Sequence, residues 1–390
     1  YSPMRFVIIF VSLFLFALTS FPIPFHLMDE HNPTTFSFPK ISAKSDADSV
    51  VIPQHILDKV NPANLEKTVR DLSSFHTRHT ESEFLDDAAS WLTEKLQSVC
   101  GQEVYVQNFT YVPENTNDKE TNSNNSQRPV SYNLKNIACE KPGLTNNTMI
   151  ISAHYDSIME DINNSTARAP GADDNASGVS ALLEIARILS NVNLDRSITF
   201  VLFSGEEQGK WGSSYYADYI DKTDTDIDLL INLDMIGFSS QESNDFLIEY
   251  DNGNTVQDND RYSRAVANFV KGVASNYTNL NATLGVLGNT DYLPFEALGY
   301  TVIGFHDDGV TKNPNHHTVN DTPDTLNYEY LTSTTKLVLA TILSLDNLIP
   351  TDNPGYAPSF SELLLASKKA VDVGTPIIKK KEERKKLEIM

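Results

Sequence analysis

Cysteine is scarce in this chain: 390 residues contain only Cys100 and Cys139. No thiolate zinc site can be assembled from two sulfurs, and they are compatible with one disulfide or with two buried free thiols. As a disulfide, the closed loop contributes about 4 kcal/mol on the chain-entropy model. Basic residues are also short, 30 Lys plus Arg against 52 Asp plus Glu, a formal net charge of −22. A nucleic-acid binder shows a basic face, so this balance argues against one. The acid excess serves solubility, and it draws metal ions and substrate amines toward an acidic cleft. The apolar run at residues 6–18 is too short for a spanning helix, which needs about 20 residues, and Pro22 and Pro24 follow closely. No H-E-x-x-H, G-x-S-x-G, G-x-G-x-x-G or Walker loop occurs, which removes the helix-borne zinc site, the serine elbow and the common nucleotide cradles.

What is present begins with a leader pattern. Arg5 followed by the short apolar run predicts a signal peptide over residues 1–20 and secretion. N-x-[ST] sequons at Asn108, Asn124, Asn146, Asn163, Asn164, Asn276 and Asn281 agree with a glycoprotein. Residues 21–50 read as a linker or propeptide, 51–350 as one catalytic domain, and 351–390 as a solvated basic extension. Residues 114–128 hold too little apolar matter to fold alone.

Leu65, Val69 and Leu72 mark one helix, and Phe84, Ala88, Leu92 and Leu96 another. Apolar runs at 103–111, 148–154, 197–203, 228–234, 245–250 and 300–305 predict strands. Helical patterns lie between them at 176–190, 211–220, 259–275 and 325–349. Near-continuous apolar strands alternating with helices predict an α/β fold, a single domain with a mixed, mostly parallel sheet covered on both faces.

The chemistry sits where the strands end. "TMIISAHYD" closes on His154 and Asp156, which project together because alternate strand residues share a face. "APGADDNASG" carries Asp173 and Asp174, "ITFVLFSGEE" ends in Glu206 and Glu207, and "LLINLD" in Asp234. "YTVIGF" leads through His306 to His316 and His317. Ligand sites in open α/β sheets lie outside the carboxyl ends of the strands. A mixed imidazole and carboxylate set suits zinc or a related divalent ion. Two imidazoles and three carboxylates exceed the three protein ligands of a single catalytic zinc. They suit two metals about 3.5–4 Å apart sharing a carboxylate, with one further carboxylate left as general base.

The run "SAHYDS … APGADDNASGVSALLEIAR … ITFVLFSGEEQGKWGS … NLDMIG … TDYLPF … HHTVNDTPDTL" resembles the secreted co-catalytic dizinc aminopeptidases, a family of leucyl aminopeptidase and aminopeptidase Y type to which glutaminyl cyclases are related. The resemblance covers about residues 55–350 and implies a zinc exopeptidase fold holding two Zn2+ per chain. It implies His154, Asp174, Glu207, Asp234 and His317 as ligands, Asp174 bridging. It also implies Glu206 as general base, Asp156 hydrogen-bonded to His154 from behind, and a cis peptide at Asp174–Asn175. Asp173 reads as a helix or loop cap, and His306 and His316 as structural or rim residues. Asp321 supports the His317 loop or caps the following turn. His76 and His79 belong to an early helix and its loop. The chain departs from the family at "LGVLGN", where Leu287 replaces a carbonyl-polarising tyrosine; Tyr292 is the candidate substitute. Met235 and Phe295 suggest an apolar lining. The implied activity is a metallo-aminopeptidase acting as a monomer on peptides with a free N-terminus. Glutaminyl cyclisation, metallo-carboxypeptidase action and a ligand-free receptor ectodomain are the competing readings.

Overall fold

The computed structural model describes residues 52–112, 131–145, 147–223, 225, 227–240, 243–307 and 313–346. The leader pattern, the segment 21–50, the loop 114–128, the sequons at Asn124 and Asn146 and the basic extension lie outside them. Three helices open the described chain: α1 (Gln54–Leu57), α2 (Pro62–Ser74) and α3 (Phe84–Cys100). Asn61 caps α2 by accepting the Ala63 amide at 3.0 Å, and Pro62 starts it where no amide is needed.

Eight strands form one sheet: β1 (Val104–Tyr111), β2 (Tyr132–Lys141), β3 (Thr148–His154), β4 (Ser197–Phe203), β5 (Ile227–Leu233), β6 (Asp245–Tyr250), β7 (Asn281–Val286) and β8 (Val302–His306). Helices α4 (Gly178–Leu189), α5 (Trp211–Lys222), α6 (Asp260–Tyr277), α7 (Leu293–Glu296) and α8 (Tyr328–Asp346) complete the unit. The strand order is β1-β2-β4-β3-β5-β8-β6-β7. The central strands β4, β3, β5 and β8 run parallel, so all four end on one edge of the sheet. β6 lies antiparallel to β8 and therefore ends on the opposite edge.

Two apolar layers explain why both faces are covered. Met149, Ile151 and Ala153 of β3 pack with Ile198, Phe200 and Leu202 of β4 against the larger core, which includes apolar residues of α2, α3, α4, α6 and α8. Ile150, Val201 and Phe203 point the other way, against Tyr216 and Ile220 of α5 and Phe295 of α7. The period-two alternation thus divides each central strand between two cores. Truncating a fully buried residue such as Ile151 to Ala costs about 2–5 kcal/mol. Cys100 at the end of α3 and Cys139 in β2 form a disulfide.

The strands at 148–154, 197–203 and 245–250 fall where the apolar runs predict them. β2 and β7 do not appear in the sequence pattern. β2 interrupts its apolar residues with Asn133, Lys135 and Asn136, and β7 is a short edge strand containing Gly285.

Candidate metal centre

His154 ends β3, and its Nε2 lies 3.2 Å from Oδ1 of Asp174 and 3.3 Å from Oδ1 of Asp234. The other Asp174 oxygen, Oδ2, is 3.0 Å from His317 Nε2 and 3.1 Å from His316 Nε2. His317 Nε2 is also 3.2 Å from Glu207 Oε2. One carboxylate therefore presents a different oxygen to each of two donor groups. His154, Asp174 and Asp234 form one group, and Asp174, His316 and His317 the other; within each, the donor atoms lie within 4.8 Å of one another.

The loop carrying Asp174 is held by long-range contacts. Asp321 accepts the backbone amides of Asp173 and Asp174 at 2.9 and 3.1 Å. Asn175 donates to the Leu233 carbonyl and accepts the amides of Gly178 and Met235, tying the loop to the end of β5. The Asp174–Asn175 peptide is cis, as the resemblance implies. A side chain at position 178 would run into the Leu233 carbonyl at 2.6 Å, so only glycine lets α4 start this close to β5. The buried Arg78 guanidinium donates to the carbonyls of Leu72, Tyr155, Pro170 and Gly171, clamping the end of β3 to the same loop. Desolvation lowers the Arg78 pKa to about 10, although Asp321, Asp156 and Asp174 favour its charge.

Asp156 is organised otherwise than the resemblance implies. Its oxygens accept the amides of Gly205, Glu206 and Glu207 at 2.9, 3.2 and 3.1 Å. Its separation from His154 Nδ1 is 3.7 Å, beyond hydrogen-bond reach. Asp156 thus clasps the Glu206–Glu207 turn as well as abutting the imidazole. Asp173 is not a cap of its own helix. Oδ1 accepts the amides of Gly237 and Phe238, and Oδ2 accepts Asn313 Nδ2.

Three further placements differ from the sequence reading. His316 stands at the Asp174 oxygen rather than at the rim, its ring stacked 3.6 Å from that of His317. The Tyr292 hydroxyl is fully buried; it donates to Glu249 Oε2 at 2.7 Å and accepts the Gly288 amide, so it is not aimed at a substrate carbonyl. Phe295 is enclosed with Phe203, Tyr216 and Tyr300 in the second core and lines no cleft. His79 contacts the Ile162 carbonyl and Gln208, and His76 the Thr166 carbonyl, both in surrounding loops. His306 neighbours Asp307 at 3.3 Å.

Residues of the "TDYLPF" stretch complete the surroundings. The Thr290 hydroxyl donates to Asp234 Oδ2 at 2.5 Å and accepts from Asn232. Asp291 is fully buried, and no hydrogen-bond donor among the described residues reaches either of its oxygens. Burial pushes the Asp291 carboxyl up to about 7. Glu206 is raised well above the usual carboxylate range, first by burial and then by the charges of Asp291, Glu207 and Asp234.

The electrostatics describe a centre that demands positive charge. Burial opposes the charge on His154, yet Asp234, Asp156 and Asp174 raise its pKa well above 6.5. His317 is lifted to about 10 in the same way by Asp174 and Glu207. Despite its burial, Asp174 is pulled well below the usual carboxylate range by His154, His316 and His317. His154 Nδ1 and Glu207 Oε1 are buried without a hydrogen-bond partner among the described residues. A buried polar atom without a partner costs about 1–3 kcal/mol. Imidazole nitrogens and carboxylate oxygens are a donor set that fits zinc.

Comparison with known proteins gives the family and the fold. Residues 136–342 match the model of the family described as "Peptidase family M28". A "Probable zinc metalloprotease" of Pyrenophora teres f. teres is 30% identical over 196 residues, which cover 47% of this chain and 39% of that protein. "Leucine aminopeptidase 1" of Coccidioides posadasii is 27% identical over 295 residues, covering 73% of this chain and 71% of that one. The solved structure of LapB from Legionella pneumophila superposes with a TM-score of 0.60 at 23% identity, covering 75% of this chain and 74% of that one. A glutaminyl cyclase from Bacteroides thetaiotaomicron, solved with N-acetylhistamine, gives 0.60 at 20% identity over 73% and 98%. At these identities the two structures speak for the fold.

Proposed function

The chain belongs to peptidase family M28, and from that premise we propose that it is a zinc-dependent aminopeptidase that removes residues, preferentially apolar ones, from the free N-terminus of peptides. The observation that carries this reading is the division of Asp174, one oxygen to His154 and the other to His317. His154, Asp174 and Asp234 would hold one zinc, and Asp174, Glu207 and His317 a second. When bound, zinc there would supply polarisation of the scissile carbonyl and a lowered pKa for the attacking water.

The remaining steps belong to the side chains. Glu206 carries the proton: its carboxylate takes one from the attacking water and delivers it to the leaving amine. Burial and the neighbouring acids raise its proton affinity toward the range that such a relay needs. Asp156 fixes the turn that presents Glu206 and Glu207. Thr290 orients Asp234, and Asp321 and Arg78 hold the Asp174 loop. The substrate's α-amine is drawn to this acidic centre, which sets the exo mode of cutting. The chain works outside the cell, a reading supported by the Cys100–Cys139 disulfide and by exposed sequon asparagines at 108, 163, 164, 276 and 281.

Hydrolysis of aminoacyl-anilides beside their N-acetylated forms, with and without chelator, tests the proposal. It expects chelator-sensitive cleavage of the free-amine substrate alone, fastest for apolar residues. Cleavage of the acetylated substrate, cleavage of a C-terminal residue, or cyclisation of N-terminal glutamine without anilide hydrolysis contradicts it.

A further inference from the structure

The segment "HTRHT", residues 76–80, follows α2 and carries two histidines that the metal centre does not use. His79 is 1% exposed, and both of its ring nitrogens are engaged. Nδ1 accepts the Glu81 amide at 3.1 Å, so the ring proton of this imidazole sits on Nε2. Nε2 donates to the Ile162 carbonyl at 2.9 Å. The same nitrogen lies 3.3 Å from the side-chain amide nitrogen of Gln208, and a half-turn of that amide brings its oxygen to the ring proton.

Both of these partners adjoin a side chain of the metal centre. Gln208 is the residue after Glu207. Ile162 lies two residues beyond Glu160, whose amide donates to the His317 carbonyl at 2.8 Å. His317 holds φ +54°, which a non-glycine residue keeps only where its surroundings fix it. Glu207 and His317 come from different loops and meet at 3.2 Å, and His79 touches the support of each. The ring contacts of His79 include neither His154 nor Asp234. His76, by contrast, is exposed and reaches the loop after β3 only at the Thr166 carbonyl, farther along the chain from Glu160.

We propose that His79 is a positioning residue of the metal centre. Through the Ile162 carbonyl it holds the loop that carries Glu160 against His317, and through Gln208 it holds the turn that carries Glu207. The spacing of these two side chains, and with it the affinity for the zinc they would hold, is set by one imidazole outside the centre. This role rests on Glu207 and His317 being ligands of the second zinc. The ion held with His154 and Asp234 does not depend on it.

Stripping zinc from the loaded protein with rising concentrations of a zinc-sensitive chelator, with the unfolding midpoint followed in parallel, tests this. His79→Leu keeps the bulk of the ring and removes both nitrogens. It should weaken one of the two zinc ions about tenfold or more, the usual effect of losing a group that orients a ligand, and leave the other near its native affinity. His79→Gln, whose amide can still donate to the Ile162 carbonyl, should recover most of that loss. Gln208→Leu, at a partly buried position, cuts the tie from the other side; it should show the same selective loss and serves if His79→Leu does not fold. His76→Ala should hold both ions as the native protein does. Native affinity for both ions in His79→Leu overturns the role. So does equal weakening of both with a lowered midpoint and no recovery in His79→Gln, the behaviour of a residue that only packs. Fewer than two zinc ions in the native protein would remove Glu207 and His317 as ligands, and the role of His79 with them.

Discussion

Asp321 holds Asp174 by its main chain: Oδ2 of Asp321 accepts the Asp174 amide at 3.1 Å, across 147 positions of sequence. Its other oxygen accepts the Asp173 amide, so one buried carboxylate fixes the loop while leaving both Asp174 oxygens to face the histidines. Asp321→Ala strands two buried amides at about 1–3 kcal/mol each and loosens the shared ligand. Zinc affinity should fall about 10–100-fold, the usual cost of losing a group that orients a ligand. Asp321→Asn, which keeps one acceptor oxygen, should fall between. Competition with a zinc-sensitive chelator measures both, and native affinity in Asp321→Ala would remove Asp321 from this role.

Glu206 is the one acid of the centre for which the proposal needs a mobile proton rather than a metal. Glu206→Gln keeps the shape and should retain zinc while lowering kcat about 10²–10⁴-fold, the contribution of a general base. Zinc analysis and kinetics on the same sample check this. Loss of zinc together with activity would make Glu206 a ligand instead, and full turnover would make it a bystander.

His316 and His317 approach the same Asp174 oxygen, at 3.1 and 3.0 Å, but only His317 also meets Glu207. His317 also adopts φ +54°, a backbone that non-glycine residues rarely hold without cause. His317→Ala should therefore lose one zinc and nearly all activity. His316→Ala should keep both ions and lose less than tenfold. The reverse ranking would exchange their roles.

Much of this was legible in the sequence, for identifiable reasons. The central strands read as unbroken apolar runs because Ile150, Ile151, Val201 and Leu202 are buried on both faces, and the donors could be placed because each follows such a run. β2 hid because polar Asn133, Lys135 and Asn136 break its apolar run, Asn136 being buried all the same, and β7 because an edge strand needs little apolar surface. Arg78, Thr290 and Asp321 act through partners 77, 56 and 147 positions away, and no local pattern encodes such separations. Asp173 looked like a helix cap because it precedes a helix; its partners at Gly237, Phe238 and Asn313 are set by tertiary packing. His316 differs from its neighbour only in which atoms it reaches.

The shared carboxylate is the claim on which the rest depends. Native mass spectrometry of the zinc-loaded protein and of Asp174→Asn, at equal free zinc, counts the ions directly. Two zinc ions per native chain, with both lost or severely weakened in Asp174→Asn, is the predicted result. A single zinc in the native chain, or two that survive Asp174→Asn unchanged, would contradict a bridging Asp174.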